Sequence, residues 1–556
     1  MNSACRMRRR NRRRIITQQA TALLLASLIV LHQSLAQDTE PLPSFEELEA
    51  EGAIIGEIRI DNQNIFDLSD PEENNVLYRL ANKLHIRTRQ SVIRRQLLFT
   101  SGEPVSVQRI DETERLLREN SYLYEVHIRP IAYHDGVVDI EVVTRDTWTL
   151  DPGLGFSRKG GENKARYGLK ELNLFGTGTA IEWERNTYDE GNIDAFRFNN
   201  NQLFGSRVRL DYLNEDRYDG NGQSISLARP FYSLETRWAA GVEGSIEDRL
   251  VSTYNNGILA SQYQRNTDAA GIYGGWSKGL VDGWTRRYFV GIDYVQNSYE
   301  LVPGQPPPTE LPTDEIRVSP FLRYQVVENE FEKTENRREI GRVEYFRLGF
   351  ASDIKLGYAM TALGSTRPAW SYLASVSKGW NPSGDQILVA AGSVSGLYTE
   401  GDTEDQFLAG AFQYFIPQSG RSQTYIALGF DAASDVDQSN QLTLGGENGL
   451  PGYPTDYQTG DRRVLFNIEQ RVYTNWFPFR LFRVGGAVFF DAGRAWGGEF
   501  GNTEKPGWLA DVGFGLRIFS VRSAFGSVFH IDFAFPINPV GDIPSSQFLI
   551  YRTRAF

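Results

Sequence analysis

From Thr149 to the end of the chain, no stretch keeps apolar residues at helical spacing. Segments of roughly 9 to 14 residues alternate apolar and polar side chains instead, and period two puts the two kinds on opposite faces of a strand. "SRVRLDYL" sets Val208, Leu210 and Tyr212 against Arg207, Arg209 and Asp211, and "RRYFVGIDY" behaves similarly. "NLFGTG" (Asn173 to Gly178) and "QLFGSR" (Gln202 to Arg207) are nearly the same turn repeated, as one up-and-down hairpin per repeat requires. Two architectures accept such strands, a soluble sandwich and a transmembrane barrel that shows lipid only every second side chain. The aromatic load decides between them: 33 Phe, 26 Tyr and 10 Trp, with Trp183, Tyr212, Trp238, Trp276 and Trp284 near strand ends, where membrane interfaces collect such rings. The expected fold is therefore an all-β transmembrane antiparallel barrel over 149–556, of up to about twenty strands by segment count. Closure leaves no unpaired edge in lipid.

The first residues read as a secretory leader over 1–36. Seven arginines precede the apolar run "ATALLLASLIVL", which is followed by "SLA". That run is too short to span a bilayer, and no cysteine follows Ala36 to take a lipid anchor. Without the leader, 51 of the 58 Lys+Arg face all 70 Asp+Glu, a net charge of −19, which excludes nucleic acid as an expected partner. Cys5 is the sole cysteine and lies in the leader, so the mature chain has neither disulfide nor thiol chemistry.

Residues 37–52 are acidic and proline-bearing and read as a linker. A small α+β unit is expected over 53–148. "AIIGEIRI" is a strand, and Ser69-Asp70-Pro71 opens a helix with Leu77, Leu80, Ala81 and Leu84 on its apolar face. Further helices are expected near Gln90–Leu98 and from Ser106 to about Glu119. Two alternating strands close the unit, "YEVHIR" and "VVDIEVV", joined by a turn at His134-Asp135-Gly136.

Enzyme readings come up short. His85, His127, His134 and His530 are too dispersed for a metal motif, and no His-Glu-x-x-His occurs. His530 and Asp532 are the best pieces for a triad assembled across strands, but they share one face of "VFHIDF" and read more simply as lumen lining. No cofactor is expected. The stretch "GGENGLPGYP", Gly445 to Pro454, is neither helix nor strand, and no Lys-Ser/Thr follows to make it a phosphate cradle. Two strands come after it. "RRVLFNIEQRVY" turns Asn467, Glu469 and Arg471 to one side, and "RVGGAVFFDAGRAW" turns Asp491 inward between Phe489 and Gly493. Glycines would let the loop fold sharply, with its backbone close to the wall.

With these motifs in view, the chain resembles the BamA/TamA-type outer-membrane assembly-factor superfamily, the bacterial surface-antigen barrels. The loop residues Gly445, Gly446, Leu450, Pro451, Gly452 and Tyr453 are similar to the family's signature loop. Phe489, Asp491 and Gly493 match its Phe-x-Asp-x-Gly strand, Glu469 its acidic position, and Phe556 its C-terminal barrel signal. "LLFTSGEPVS" with the helices and strands around it looks like one polypeptide-transport-associated (POTRA) domain. The resemblance implies sixteen strands, a place in the bacterial outer membrane with the POTRA domain in the periplasm, and no catalysis. It implies partners in outer-membrane lipid and unfolded outer-membrane or secreted clients, and leaves periplasmic or lipoprotein partners open.

One departure stands out. Where the family carries arginine at the loop tip, this chain has Pro451, so the ion pair between that arginine and the strand carboxylates cannot form. Arg463, Arg471 and Arg494 are the candidates to neutralise Glu469 and Asp491 from the wall. In the function the resemblance implies, the POTRA domain captures an extended client as an added strand, and the seam between the first strand (near Leu150 to Arg158) and the last (Gln547 to Phe556) opens to template client strands. A secretion pore for one dedicated partner and a passive structural barrel are the alternatives.

Overall fold

The computed structural model describes residues 42–159, 162–188, 191–255, 258–434, 442–498, 507–524, 526–537, 539 and 543–554. The leader and Phe556 lie outside these. The chain divides into two compact units, one holding the described residues up to Arg59 with Phe99–Arg109 and Ile128–Glu141, the other holding Ile60–Leu98, Ile110–His127 and everything from Val142 on.

The N-terminal α+β region has a three-stranded sheet of order β1-β3-β2: β1 (Ile54–Gln63), β2 (Leu123–His134) and β3 (Val137–Asp146). The His134-Asp135-Gly136 turn is as expected, with Asp135 and Gly136 at φ 52° and 77°. Val138, Ile140 and Val142 alternate inward and are fully buried. The acidic stretch expected as a linker is helical in part. In α1 (Phe45–Ala50) the Ser44 side chain accepts from the Glu47 N–H, the Glu47 carboxylate accepts from the Ser44 N–H, and Leu48 is buried.

The next helix starts later than Ser69-Asp70-Pro71, which forms a turn held by the Asp67 and Asp70 carboxylates. Asn75 caps α2 (Val76–Leu84), its side chain accepting from the Tyr78 N–H at 3.0 Å. The expected apolar face is reversed: Leu77, Leu80 and Leu84 are exposed and Tyr78 is buried. Two more helices follow, α3 (Gln90–Arg94) and α4 (Val107–Arg118), with Ile110 and Leu117 of α4 buried.

Among the described residues twenty strands close an antiparallel barrel, the number given by segment count and not the sixteen of the family expectation. The first strand is interrupted, as β4 (Leu150–Asp151) and β5 (Gly155–Lys159). Short hairpins follow: β6 (Glu162–Glu171), β7 (Thr179–Thr187), β8 (Asn192–Asn200), β9 (Arg209–Arg217) and β10 (Gly220–Arg229). Then come the longer β11 (Trp238–Asn255), β12 (Ile258–Val281), β13 (Trp284–Leu301) and β14 (Glu315–Glu328). A small hairpin, β15 (Phe331–Glu335) and β16 (Val343–Arg347), stays out of the ladder. The wall resumes with β17 (Ala351–Ala359), β18 (Ala369–Trp380), β19 (Ile387–Thr399), β20 (Asp402–Ser419) and β21 (Ser422–Ser434). A second excluded hairpin, β22 (Leu442–Leu444) and β23 (Gln458–Gly460), precedes the last five: β24 (Arg462–Tyr473), β25 (Phe482–Trp496), β26 (Leu509–Ser520), β27 (Ser527–Pro536) and β28 (Gln547–Arg554).

The two faces of this wall differ chemically. On β25, Val488 is exposed to the outside while Phe489 and Asp491 are buried inward. Trp183, Trp238, Trp276 and Tyr288 are also exposed, and Trp276 stacks on Tyr288 across the ladder. An apolar, aromatic outer face around a polar interior is what a lipid-embedded barrel requires. The chain enters β4 at one rim, here the N-terminal rim, so alternate turns return to it. The two repeat turns lie there, each placing a Phe in left-handed backbone (Phe175 φ 53°, Phe204 φ 51°), and the β24–β25 turn does the same with Phe479 at 54°. Bulky residues rarely adopt this conformation.

Candidate functional site

The Gly/Pro-rich loop folds back against the inner wall of β24–β26 near the far rim. Gly445, at φ 146°, starts it, and Gly446 N–H donates to the Tyr453 carbonyl at 3.0 Å, closing the tip. Leu450 and Tyr453 are fully buried with Leu444, Tyr457, Ala495 and Leu509. Burying these side chains drives the insertion; a Leu or Phe taken out of water contributes about 1.5–3 kcal/mol. The anchor to the wall is a main-chain group: Gly452 N–H donates to Asp511 Oδ2 at 2.8 Å, and Tyr453 OH to the Ala510 carbonyl at 3.1 Å. A Cβ on Gly452 would lie 2.8 Å from the Asp511 Cβ, so only glycine permits this approach. Pro451 is itself buried at the tip.

Below the loop, the inward carboxylates fall into two sets. Asp491 on β25 and Asp511 on β26 face each other in register, and Asn467 donates to Asp491 Oδ1 at 2.6 Å. Nearer the N-terminal rim, Glu469 takes two arginines. Arg471 donates to its Oε2 at 2.9 and 3.1 Å, and Arg517 of β26 to its Oε1 at 2.8 and 3.0 Å. Arg517 also pairs with Asp532 on β27, whose other oxygen accepts from Tyr551 OH of β28 at 2.8 Å. One polar network thus ties β24, β26, β27 and β28 together. His530 and Asp532, the candidate triad pieces, are members of it, with His530 Nδ1 3.7 Å from Asp532.

Arg463 and Arg494 go elsewhere. Arg463 is spent on Asp431 (2.7 and 2.9 Å) and the Thr443 carbonyl, and Arg494 stacks over Trp496. Phe489 packs inward with Ala534 and Leu549, and Gly493 leaves room for Leu444 of the loop. Sequence reasoning missed Arg517 and Asp511. Their inward parity was readable, but their height against Glu469 and Gly452 depends on strand register, which a single sequence does not carry.

It also missed a second insertion. The segment around β15 and β16 leaves the N-terminal rim and lies inside the barrel. The Arg337 carbonyl accepts from Gln423 and Arg471, Arg338 donates to Gln413, and Ile340 is buried with Tyr473, Phe519, Val521 and Val528. Glu344 folds the tip by accepting the N–H groups of Arg337, Arg338 and Glu339. Burial pushes its carboxyl up to about 7, and burial also raises Glu339. Lys333 and Tyr345 of this hairpin bond Glu114 of α4 at 2.7 and 3.2 Å. A cavity of about 900 Å³ adjoins the hairpin, with Arg115, Arg166, Lys170, Arg342 and Arg552 among its lining residues.

Among the described residues the seam has the fewest registered pairs of any join in the barrel. Among the described residues, β28 registers with β5 at one pair, Ile550 with Arg158, whereas β27 and β28 share eight. Pro152 has no N–H to give, and Gly153 at φ 67° turns the chain, so the first strand breaks between β4 and β5.

Neither a protein-family model nor a curated protein matches the sequence. Among solved structures the chain is similar to CdiB from Escherichia coli (TM-score 0.44, 10% identity, covering 89% of this chain and 75% of that one). It is similar also to CdiB from Acinetobacter baumannii (0.38, 12%, 97% of each) and to BamA from Haemophilus ducreyi lacking POTRA domains 1–3 (0.38, 14%, 88% and 84%).

Proposed function

We propose that this chain is an outer-membrane barrel that inserts or translocates other polypeptides, working through the seam between β5 and β28. The observation that carries the reading is the contrast at β28. One side of the strand is held by eight registered positions and the Tyr551–Asp532–Arg517 network, the other by a single registered pair. A client strand can replace few hydrogen bonds on the weak side while the strong side keeps β28 as a fixed template. The broken first strand yields, and the last strand stays. No covalent chemistry is involved, and the α+β region acts as a POTRA-like site that delivers the client from the periplasm.

The second reading, a secretion pore, is favoured by the cavity at the N-terminal rim, which is lined by charged side chains of both signs, Arg115, Lys170 and Arg342 beside Glu119, Glu182 and Glu339. In that case both lumen insertions must withdraw during transport. Photo-crosslinkers at Phe156 and Phe548, exposed side chains on the first and last strands, separate the two in living cells. Capture of newly made outer-membrane proteins at these positions supports insertion through the seam. Capture of a secreted chain only from lumen positions such as Tyr425 would replace it with the pore.

A further inference from the structure

Helix α2 carries an apolar stripe that the fold leaves uncovered. Val76, Leu77, Leu80 and Leu84 fall within about 100° of helical arc, and Leu77 and Leu84 are 72% and 64% exposed. The opposite side is fixed: Tyr78 stacks on Phe66 with ring centroids 4.1 Å apart, packs beside Ala81 and Leu481, and donates its hydroxyl to the Phe479 carbonyl. The helix therefore hangs from the β24–β25 turn at the N-terminal rim, apolar stripe outward. That turn shows its own rings, Trp476 at 65% and Phe479 at 75% exposure, and Val472 at the foot of β24 is exposed on the lipid-facing side. Phe204, in the β8–β9 turn at the same rim, is 98% exposed. Apolar surface thus runs from the barrel's lipid-facing wall onto the turn that holds α2. Arg79 and Lys83 lie exposed along one border of the stripe.

We propose that α2 is a membrane-interface anchor, its Val/Leu stripe lying at the boundary of acyl chains and headgroups in the leaflet at the N-terminal rim, with Arg79 and Lys83 at the lipid phosphates. Attachment of α2 to a turn whose exposed rings continue the lipid-facing wall argues for a bilayer as the occupant, since a single helix offers a convex stripe and not a groove for a peptide. Flanking cations and apolar side chains on one short helix are the pattern of interfacial binding. The anchor rests on the transmembrane reading of the barrel and is independent of client handling.

The test uses full-length protein in a Cys5→Ser background, reconstituted into vesicles of phosphatidylethanolamine and phosphatidylglycerol with a nitroxide-bearing lipid. A fluorophore is attached at Leu80→Cys or, as a reference in the barrel wall, at Val488→Cys. Both probes should be quenched by the lipid nitroxide and shielded from aqueous iodide. Adding Arg79→Glu and Lys83→Glu should reduce lipid quenching at position 80 by about twofold or more, as electrostatic attachment predicts, and leave position 488 unchanged. Quenching at 488 with an iodide-accessible probe at 80 would overturn the anchor while keeping the transmembrane barrel. Loss of lipid quenching at both positions would overturn both. Shielding at 80 that arises only when an unfolded polypeptide is added would assign the stripe to a peptide instead.

Discussion

At the scale of the residue, Arg517 is the group on which the lumen depends most. It is nearly fully buried between Glu469 and Asp532, so replacing it with Leu leaves Asp532 without its cation and Glu469 with only Arg471. Breaking a buried pair in this way costs about 3–5 kcal/mol, and the temperature at which folded protein converts to its unfolded gel mobility should fall clearly below that of the parent. Pro451 matters for a different reason. It is buried at a tip anchored by the neighbouring Gly452 N–H, and Glu469 already has two arginines. Pro451→Arg should therefore crowd the wall and increase protease cleavage of the loop in intact cells. Gly452→Ala should do the same, because its methyl group would meet Asp511; increased protection in either variant would contradict the anchoring described here. The loop and the two strands after it were legible because a Gly/Pro-rich run and period-two alternation are local features of the sequence. Their partners were not, since Arg517 and Asp511 reach them only through register, and Arg463 and Arg494 lie close in sequence to the acids but turn to Asp431 and Trp496.

At the scale of the element, the hairpin of β15 and β16 is the least expected part of the molecule, and its buried Glu344 makes it sensitive to pH. A folded-state pKa of about 7 for Glu344, above its usual 4.5, means that the docked hairpin holds a proton its free form has given up. Its contribution to docking is complete below the ordinary carboxylate pKa and is lost as pH rises through about 7. Hydrogen exchange in 331–347, corrected for intrinsic rate, should show more protection at pH 5 than at pH 8, and Glu344→Gln should flatten the difference. Equal protection in the parent at both values would remove the proposed pH response. Strands were readable because period-two alternation survives wherever one face meets lipid and the other water. This hairpin faces the lumen from within, so no such pattern marks it. Helix α2 shows the converse: the period was right, but what it faces could not be inferred from the period, and the Leu face taken for a core lies outside.

At the scale of the whole molecule, closure of the twenty-strand ladder satisfies most backbone groups of the wall internally, and this should make the barrel resist detergent until heated. Unheated and boiled samples should migrate differently on a denaturing gel, and identical migration of folded material would contradict the closed barrel. Closure is uneven, however, and the proposed function depends on that unevenness: the join between β5 and β28 opens while the network from Glu469 to Tyr551 keeps β24–β28 together. The most direct measurement is to lock that join. With Cys5→Ser as background, Arg158→Cys and Ile550→Cys occupy the registered pair, and the protein is reconstituted into liposomes and offered an unfolded small outer-membrane barrel. Oxidised, seam-locked protein should lose its acceleration of client insertion, and reductant should restore it. Equal insertion rates in the locked and reduced states would contradict passage through the seam.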